Sequence, residues 1–269
     1  MLLKRWLTSL VAIPILILII SFSSGMFFAA FIATVCLLSG LEYFYIIYSG
    51  QIRQIFTPIT VIALLSGAGA VFAAEMRPDT MILILFSGVI GVAVCTLFAF
   101  SREKEVLSRA EKAFQFFVYI PLSLSTIVFL RSRPEGSVWV YFLLFIIFAG
   151  DVGAFYVGTY FGRHKLAPGI SPKKTMEGAA GGLLVNLVVG LLFKMFFLSD
   201  LPFGMTAGFI LIAGVAGQVG DLFESELKRV ADIKDSGAIL PGHGGMLDRI
   251  DALLFAAPVT YFFHLLTLS

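Results

Sequence analysis

The stretch KDSGAILPGHGGMLDRID, late in the chain, combines side-chain types that hold phosphates and a divalent cation. Asp248 and Asp251 stand three positions apart, so both carboxylates face one direction if a helix begins near Leu247. Paired carboxylates with open coordination positions are the usual way to hold Mg²⁺ against substrate phosphates. Gly244 and Gly245 permit the close backbone approach that phosphate-cradling loops need. The stretch therefore predicts one side of a site for phosphates and a metal ion.

The histidine of this stretch, His243, is open to three interpretations: a metal ligand, a donor to phosphate, or a residue of the loop alone. We favour the donor, because one histidine among glycines lacks the second histidine expected of a zinc site.

A second polar group lies at the end of an apolar run. Asp221, Ser225 and Lys228 are spaced i, i+4 and i+7, so they share one face of a helix, and Glu224 lies beside them. A stripe of both charges within a membrane helix indicates a wet, charged cleft. The alternative interpretation is a Glu224 to Lys228 salt bridge at a helix end.

A third group consists of Asp151 and the loop FGRHKLAPGISPKKTMEG that follows it. A carboxylate inside an apolar run is costly, so Asp151 is expected to face a polar cavity, or else to pair with a basic residue of the loop. Thr175 suits the cap of the next helix, whose free N–H groups would favour an anion. The alternative for this loop is membrane topology or lipid head-group binding. Its basic side chains are Arg163, His164, Lys165, Lys173 and Lys174.

These groups are positioned by a chain that is 59% hydrophobic and only 13% charged, which indicates an integral membrane protein. Most of its apolar runs reach the roughly 20 residues that cross a bilayer. We predict an all-α polytopic membrane protein with about nine transmembrane helices, although eight remains open. The runs fall at residues 7–24, 26–48, 55–74, 80–100, 114–130, 138–161, 178–197, 203–227 and 252–268.

The distribution of basic residues supports this count. With nine spans, all of the 19 Lys and Arg residues except four fall on one side of the membrane, and cytoplasmic loops collect such residues. The N-terminus is therefore expected in the cytoplasm, and all three polar groups at the cytoplasmic face. The four exceptions are Arg77, Arg131, Arg133 and Lys194.

The two parts of the chain differ in polarity. We expect residues 1–113 to form transmembrane helices 1 to 4 with a cytoplasmic loop, and residues 114–269 to form the catalytic helices 5 to 9 with their polar loops. Before residue 113 only one acidic residue, Glu42, lies inside a span, so function is expected in the second part. Cys36 and Cys95 lie in apolar runs without metal spacing and are expected to be packing residues. The residues alone thus predict a phosphoryl- or nucleotidyl-transfer site open to the cytoplasm and the bilayer.

The segment SELKRVADIKDSGAILPGHGGMLDRID, which starts at Ser225, resembles the signature of phosphatidate cytidylyltransferases, also called CDP-diacylglycerol synthases. The loop that starts at Phe161, with Asp151 ahead of it, resembles the other polar loop of that family. The resemblance implies transfer of a cytidylyl group from CTP to phosphatidate with release of pyrophosphate, dependent on Mg²⁺. It also implies a helical, dimeric, multi-pass protein of the bacterial cytoplasmic (inner) membrane, with its active site facing the cytoplasm and no nucleic-acid partner.

Roles for individual residues follow from this resemblance as hypotheses. Whether a second metal ion or a monovalent cation assists is left open. Mg²⁺ is assigned to Asp221 and Asp248, assisted by Asp251 and Glu224. The phosphates of CTP are assigned to Lys228, Arg229, Lys234 and Arg249, with Gly244 and Gly245 near them, and catalytic roles also to Asp235 and His243. Substrate binding is assigned to Ser225, Asp151, Arg163, Ser171, Lys173 and Lys174.

Two other functions are kept as alternatives. A CTP-dependent kinase of polyprenol or phytol would have a related loop plan, but it would release CDP and not pyrophosphate. A secondary transporter of an anion would also bury charged residues, but transporters often have broken helices in both halves. Here the polar groups lie in one half and towards one face, which disfavours transport.

Overall fold

The computed structural model of the chain describes residues 2–100, 105–233 and 244–267, with side chains from residue 10 onward. It is built almost entirely of helices, as the apolar composition predicts. Its helices are α1 (Leu2–Phe22), α2 (Gly25–Ile47), α3 (Ile52–Ile55), α4 (Pro58–Ala73), α5 (Pro78–Ala99), α6 (Val106–Phe117), α7 (Ser123–Arg131), α8 (Gly136–Phe161), α9 (Met176–Phe197), α10 (Phe203–Val230) and α11 (Leu247–Thr267).

Seven helical segments within the described ranges are long and apolar enough to cross a membrane. They are α2, α5, the continuous segment Val106–Arg131, α8, α9, α10 and α11. The other two predicted spans correspond to the shorter apolar helices Leu10–Phe22 and Pro58–Ala73. The chain is a multi-pass membrane protein, while the count of nine spans and their orientation stay predictions.

The segment Val106–Arg131 differs from its predicted bounds of 114–130. It starts earlier because its first turns are amphipathic: Ala110 and Ala113 are buried, whereas Ser108 and Glu111 are exposed. The segment passes Pro121 through a π-helical turn, Val118–Leu122, between α6 and α7. Such a turn accommodates a proline, which has no N–H to donate to the helix.

Cα packing divides the chain into two compact units. Unit 1 comprises Met1–Ser132 and Val230–Arg249, and unit 2 comprises Arg133–Arg229 and Ile250–Ser269. The division predicted at residue 113 falls inside α6, and α11 contributes Leu247–Arg249 to unit 1 and its remaining residues to unit 2.

The core of unit 1 is aromatic. Tyr43, Phe44 and Phe116 are fully buried, with ring centroids 5.1 Å apart for the two phenylalanines and 5.2 Å apart for Tyr43 and Phe44. The Tyr43 hydroxyl donates a hydrogen bond to Gln115 Oε1 at 2.9 Å. Buried aromatic rings contribute large apolar area, so this cluster fixes α2 firmly against α6.

In unit 2, α8 and α9 pack closely because small residues face each other. A Cβ at Gly181 would lie 2.5 Å from Val157 Cβ, and a Cβ at Gly153 would lie 2.7 Å from Val185 Cβ. Glycine at these two positions lets the valines of the opposite helix fit against the backbone, as in other membrane helix pairs.

The loop between α8 and α9 contains a feature that the all-helical prediction missed. Strands β1 (Lys165–Ala167) and β2 (Ser171–Thr175) form an antiparallel hairpin, with Lys165 opposite Thr175 and Ala167 opposite Ser171. The hairpin satisfies the backbone hydrogen bonds of a polar loop that connects two membrane helices.

Candidate active site

Unit 2 contains a cavity of about 530 Å³, lined by α8, the hairpin, α9, α10 and Ala252 of α11. Its inner part is lined by small residues of the helices, and its outer part by basic residues of the hairpin. Its polar lining residues are Asp151, Thr159, Lys165, Lys173, Lys174, Thr175, Asn186, Gln218 and Asp221.

The hairpin is held at its base by the start of α9. The Thr175 side chain caps α9 by accepting the Gly178 N–H at 3.1 Å, as the sequence predicted. Glu177 in the first turn accepts the N–H of Arg163 at 3.0 Å and contacts His164 Nδ1 at 2.5 Å. Glu177 was not predicted to act here; a carboxylate in the first turn of a helix, near backbone N–H groups, was the available signal.

The hairpin meets α10 at two points. The Lys174 ammonium forms an ion pair with Asp221, and both side chains are about two-thirds buried, at 27% and 33% exposure. Arg229 Nε donates a hydrogen bond to the carbonyl oxygen of Ile170 in the turn of the hairpin, at 3.1 Å. The loop after Asp151 and the charged stripe of α10 therefore come together in unit 2, as expected for a shared site.

Three carboxylates of unit 2 lie close enough for their charges to interact. The negative charges of Asp221 and Asp151 act on the Asp251 carboxylate. A Cβ at Gly220 of α10 would lie 2.5 Å from the Asp251 carbonyl oxygen, so glycine is what allows α10 to approach the α11 backbone. This approach places the acidic side chains of α8, α10 and α11 in one region.

Asn186 is the lining residue that the sequence analysis missed. It lies in the middle of α9, its side chain is only 2% exposed, and its Oδ1 has no hydrogen-bond partner among the described residues. Gly214 of α10 leaves room for it, since a Cβ there would lie 2.5 Å from Asn186 Nδ2. A lone polar residue in an apolar run was the available signal.

The C-terminal end of α10 shows the simpler of its two predicted arrangements. Lys228 Nζ lies 2.5 Å from Glu224 Oε2, and Glu224 is only 1% exposed. The salt bridge at the helix end is therefore present. Neither residue lines the cavity.

The remaining predicted residues fall into three groups. Arg163, Ser171 and Ser225 belong to unit 2 but do not line the cavity. Lys234, Asp235 and His243 lie outside the described residues. Gly244, Gly245, Asp248 and Arg249 belong to unit 1, where Asp248 Oδ2 accepts the Gly245 N–H at 3.0 Å.

The chemistry of the cavity fits a hard cation. Carboxylate oxygens are the ligands that Mg²⁺ prefers, and Mg²⁺ uses one or two of them together with substrate phosphates. Within residues 2–100, 105–233 and 244–267, no three His, Cys, Asp or Glu side chains are grouped as for a metal ion. Asp221, whose carboxylate is paired with the Lys174 ammonium, could contribute oxygen ligands to such a cation.

Comparison with known proteins adds the family. The model of a family described as the cytidylyltransferase family matches residues 3–267. The chain belongs to the cytidylyltransferase family. The match takes in both units, so the first 113 residues are as much a part of the family's chain as the polar second part.

Relatives of this cytidylyltransferase family member carry a more specific name. A Bacillus subtilis (strain 168) protein named phosphatidate cytidylyltransferase is 42% identical over 146 residues, 54% of each chain. Its namesake in Staphylococcus epidermidis (strain RP62A) is 36% identical over 177 residues, 66% of this chain and 68% of that one. Another in Staphylococcus aureus (strain COL) is 39% identical over 157 residues, 58% of this chain and 60% of that one. The aligned region thus spans about half of the Bacillus relative.

Proposed function

We propose that the chain transfers a cytidylyl group from CTP to phosphatidate, which gives CDP-diacylglycerol and pyrophosphate. The observation that carries the proposal is the Lys174–Asp221 ion pair in a cavity with two further lysines and one further carboxylate, inside a multi-pass membrane protein. Such a cavity suits two phosphate-bearing substrates, one of them a lipid. The family match and the names of the relatives support the same reaction.

The reaction forms a bond between a phosphate oxygen of phosphatidate and the α-phosphorus of CTP, and it breaks the bond from that phosphorus to the β-phosphate. The second pKa of a phosphate monoester is about 6, so phosphatidate is mostly a dianion at neutral pH. No general base is required. The difficulty is that one anion attacks another and expels a third, so positioning and charge neutralisation supply most of the catalysis.

The lysines of the hairpin are suited to that neutralisation. Lys165, Lys173 and Lys174 line the cavity from the side of the hairpin. We assign Lys173 and Lys174 to the phosphatidate head group or the departing pyrophosphate. Lys228, Arg229, Lys234 and Arg249 are proposed for the phosphates of CTP, on the strength of the signature segment.

Asp221 and Asp248 are proposed as ligands of Mg²⁺, with Asp251, three residues after Asp248, as a further ligand. When bound, Mg²⁺ would neutralise charge on the phosphates and help to orient the triphosphate. Glu224 would have to exchange its ion pair with Lys228 to assist. We also propose that the protein is a homodimer of the cytoplasmic membrane with its cavity open to the cytoplasm.

Turnover by purified protein in detergent tests this function. With CTP, phosphatidate and Mg²⁺ we expect pyrophosphate and CDP-diacylglycerol in equal amounts, and no turnover after chelation of the metal. Release of CDP would instead indicate a lipid kinase, and anion flux without CTP in proteoliposomes would indicate a transporter.

Substitution of single carboxylates refines the test. Asp248→Asn and Asp251→Asn should each abolish turnover at saturating Mg²⁺ in folded protein. Asp200→Asn is the matched control, because Asp200 is exposed in the loop between α9 and α10. Near-normal turnover of a site variant would remove that residue as a ligand.

A further inference from the structure

Unit 1 contains a carboxylate that joins two distant parts of the chain. Glu42 of α2 accepts the N–H of Met246 on Oε1 at 2.9 Å and the N–H of Leu247 on Oε2 at 2.7 Å. The partners are separated by more than 200 residues in sequence. Glu42 is only 3% exposed, and Leu247 is fully buried.

The contact has the properties of a strong and directional anchor. Both hydrogen bonds are charge-assisted, and each oxygen of the carboxylate takes one donor, which fixes the direction as well as the distance. The N–H groups at the start of a helix have no partner within the helix, and the helix dipole favours a negative charge there. Glu42, which belongs to another helix, supplies both the hydrogen-bond acceptors and the negative charge at the start of α11.

Glu42 is itself held in place by the core of unit 1. Its neighbour Tyr43 is fully buried, and the Tyr43 hydroxyl donates to Gln115 of α6. One turn before Tyr43, a Cβ at Gly40 would lie 2.6 Å from a methyl group of Leu64 in α4, so α2 and α4 approach closely. A side chain held by a packed core can fix the position of the residues that it binds, whereas a side chain on a loop would not.

The segment held by Glu42 contains residues of the signature stretch. Asp248 follows Leu247 directly, and its Oδ2 accepts the Gly245 N–H at 3.0 Å. Gly244 has a φ of +80°, and a Cβ there would lie 2.9 Å from the Asp248 carboxylate. The backbone from Gly244 to Leu247 and the carboxylate of Asp248 are therefore linked to one another, and Glu42 holds them in place.

We propose that Glu42 is a positioning residue for the reaction, which orients the start of α11 and with it the carboxylate of Asp248. The inference rests on the proposed function, because that function makes Asp248 a metal ligand. Glu42 touches neither substrate nor metal and acts through the backbone of Met246 and Leu247. Displacement of a reacting group by about 1 Å can lower turnover by about 100-fold.

The variants that test the proposal are Glu42→Gln, Glu42→Asp and the control Glu75→Gln. Glutamine keeps the volume but places an N–H₂ group against one backbone donor, and aspartate keeps the charge on a shorter side chain. Glu75 also belongs to unit 1, and it accepts a hydrogen bond from Ser132 Oγ at 2.5 Å beside Gly25, at the start of α2 and far along that helix from Glu42. The measurements are turnover per folded molecule, the Mg²⁺ concentration for half-maximal turnover, thermal unfolding, and amide hydrogen exchange of Met246 and Leu247.

For Glu42→Gln we expect turnover at least about tenfold lower, a higher Mg²⁺ requirement and faster exchange of both amides. Glu42→Asp should lie between this variant and the parent, and Glu75→Gln should match the parent. Turnover and Mg²⁺ requirement within twofold of the parent, or unchanged exchange, would overturn the proposal even if thermal stability fell. If Glu42→Gln does not fold, the same criteria apply to Glu42→Asp.

Failure of the proposed function would be visible separately. A parent protein without CTP-dependent turnover would remove the proposed reaction, whereas the amide exchange of Met246 and Leu247 would still show whether Glu42 holds the start of α11. An unchanged exchange rate in a fully active parent background would remove the positioning role and leave the reaction in place.

Discussion

Lys174 of the hairpin and Asp221 of α10 form an ion pair that joins the two polar groups of unit 2 at the wall of its cavity. The pair brings a cation from a loop to a carboxylate on a membrane helix. It also leaves the ammonium beside the space that a substrate phosphate would enter. The hairpin and α10 thus meet through the charges that the proposed reaction needs.

Replacement of this lysine should affect turnover strongly. We expect Lys174→Met to lower turnover by about 100-fold, because charge neutralisation is a large part of such catalysis. Lys194→Met is the control, since Lys194 lies at the far end of α9, where its ammonium donates to the Ser199 carbonyl oxygen. Equal turnover of the two variants in the CTP and phosphatidate assay would argue against a role for Lys174.

Asn186 allows stability and activity to be separated. We expect Asn186→Leu to raise the free energy of unfolding by about 1 kcal/mol or more, because it removes a buried carbonyl oxygen without a partner. We expect the same change to lower turnover, because it makes the inner end of the cavity apolar. Thermal unfolding in detergent and the turnover assay measure the two effects, and a less stable variant would show that the amide oxygen is satisfied in the membrane.

The contact of Gly181 with Val157 predicts a loss of stability. Gly181→Ala should destabilise the protein by about 1–3 kcal/mol, because the new methyl group would overlap the Val157 side chain. Gly204→Ala in α10 is the matched control, as a Cβ at Gly204 meets no atom within 4 Å. We therefore expect the melting temperature of Gly181→Ala to be clearly lower than that of Gly204→Ala.

The cap of α9 predicts a smaller effect. Thr175→Val keeps the shape of the side chain but removes the oxygen that accepts the Gly178 N–H, and it should cost about 0.5–2 kcal/mol of stability. Thr175→Ser keeps that oxygen and should lie within a few tenths of a kcal/mol of the parent, by the same reasoning about caps. A valine variant as stable as the serine variant would show that the cap contributes nothing.

Several features of this molecule were readable from the sequence because they depend on local patterns. The apolar runs predicted the helices and Thr175 predicted a cap, whereas α11 starts at Leu247, five residues before the apolar run predicted at 252–268. The salt bridge between Glu224 and Lys228 could also be anticipated, because the two residues are one turn apart on the same helix.

Other features depend on which distant elements meet, and no local pattern contains that information. The sequence offered several loop lysines and did not distinguish Lys174 as the partner of Asp221. It placed function in the second part of the chain, whereas Glu42 in the first part holds the start of α11. The span predicted at 114–130 runs through Pro121, but an apolar run alone does not show that the helix passes this proline through a π turn.

The contact of Glu42 with the start of α11 also bears on how the protein is made. α2 is synthesised before α11, so the carboxylate of Glu42 exists in the growing chain long before Met246 and Leu247 do. Until then it lacks the two donors that offset the cost of its burial. Unit 1 is therefore completed only when the start of α11 has been translated, and a chain truncated before α11 would contain an α2 whose buried Glu42 lacks these two donors.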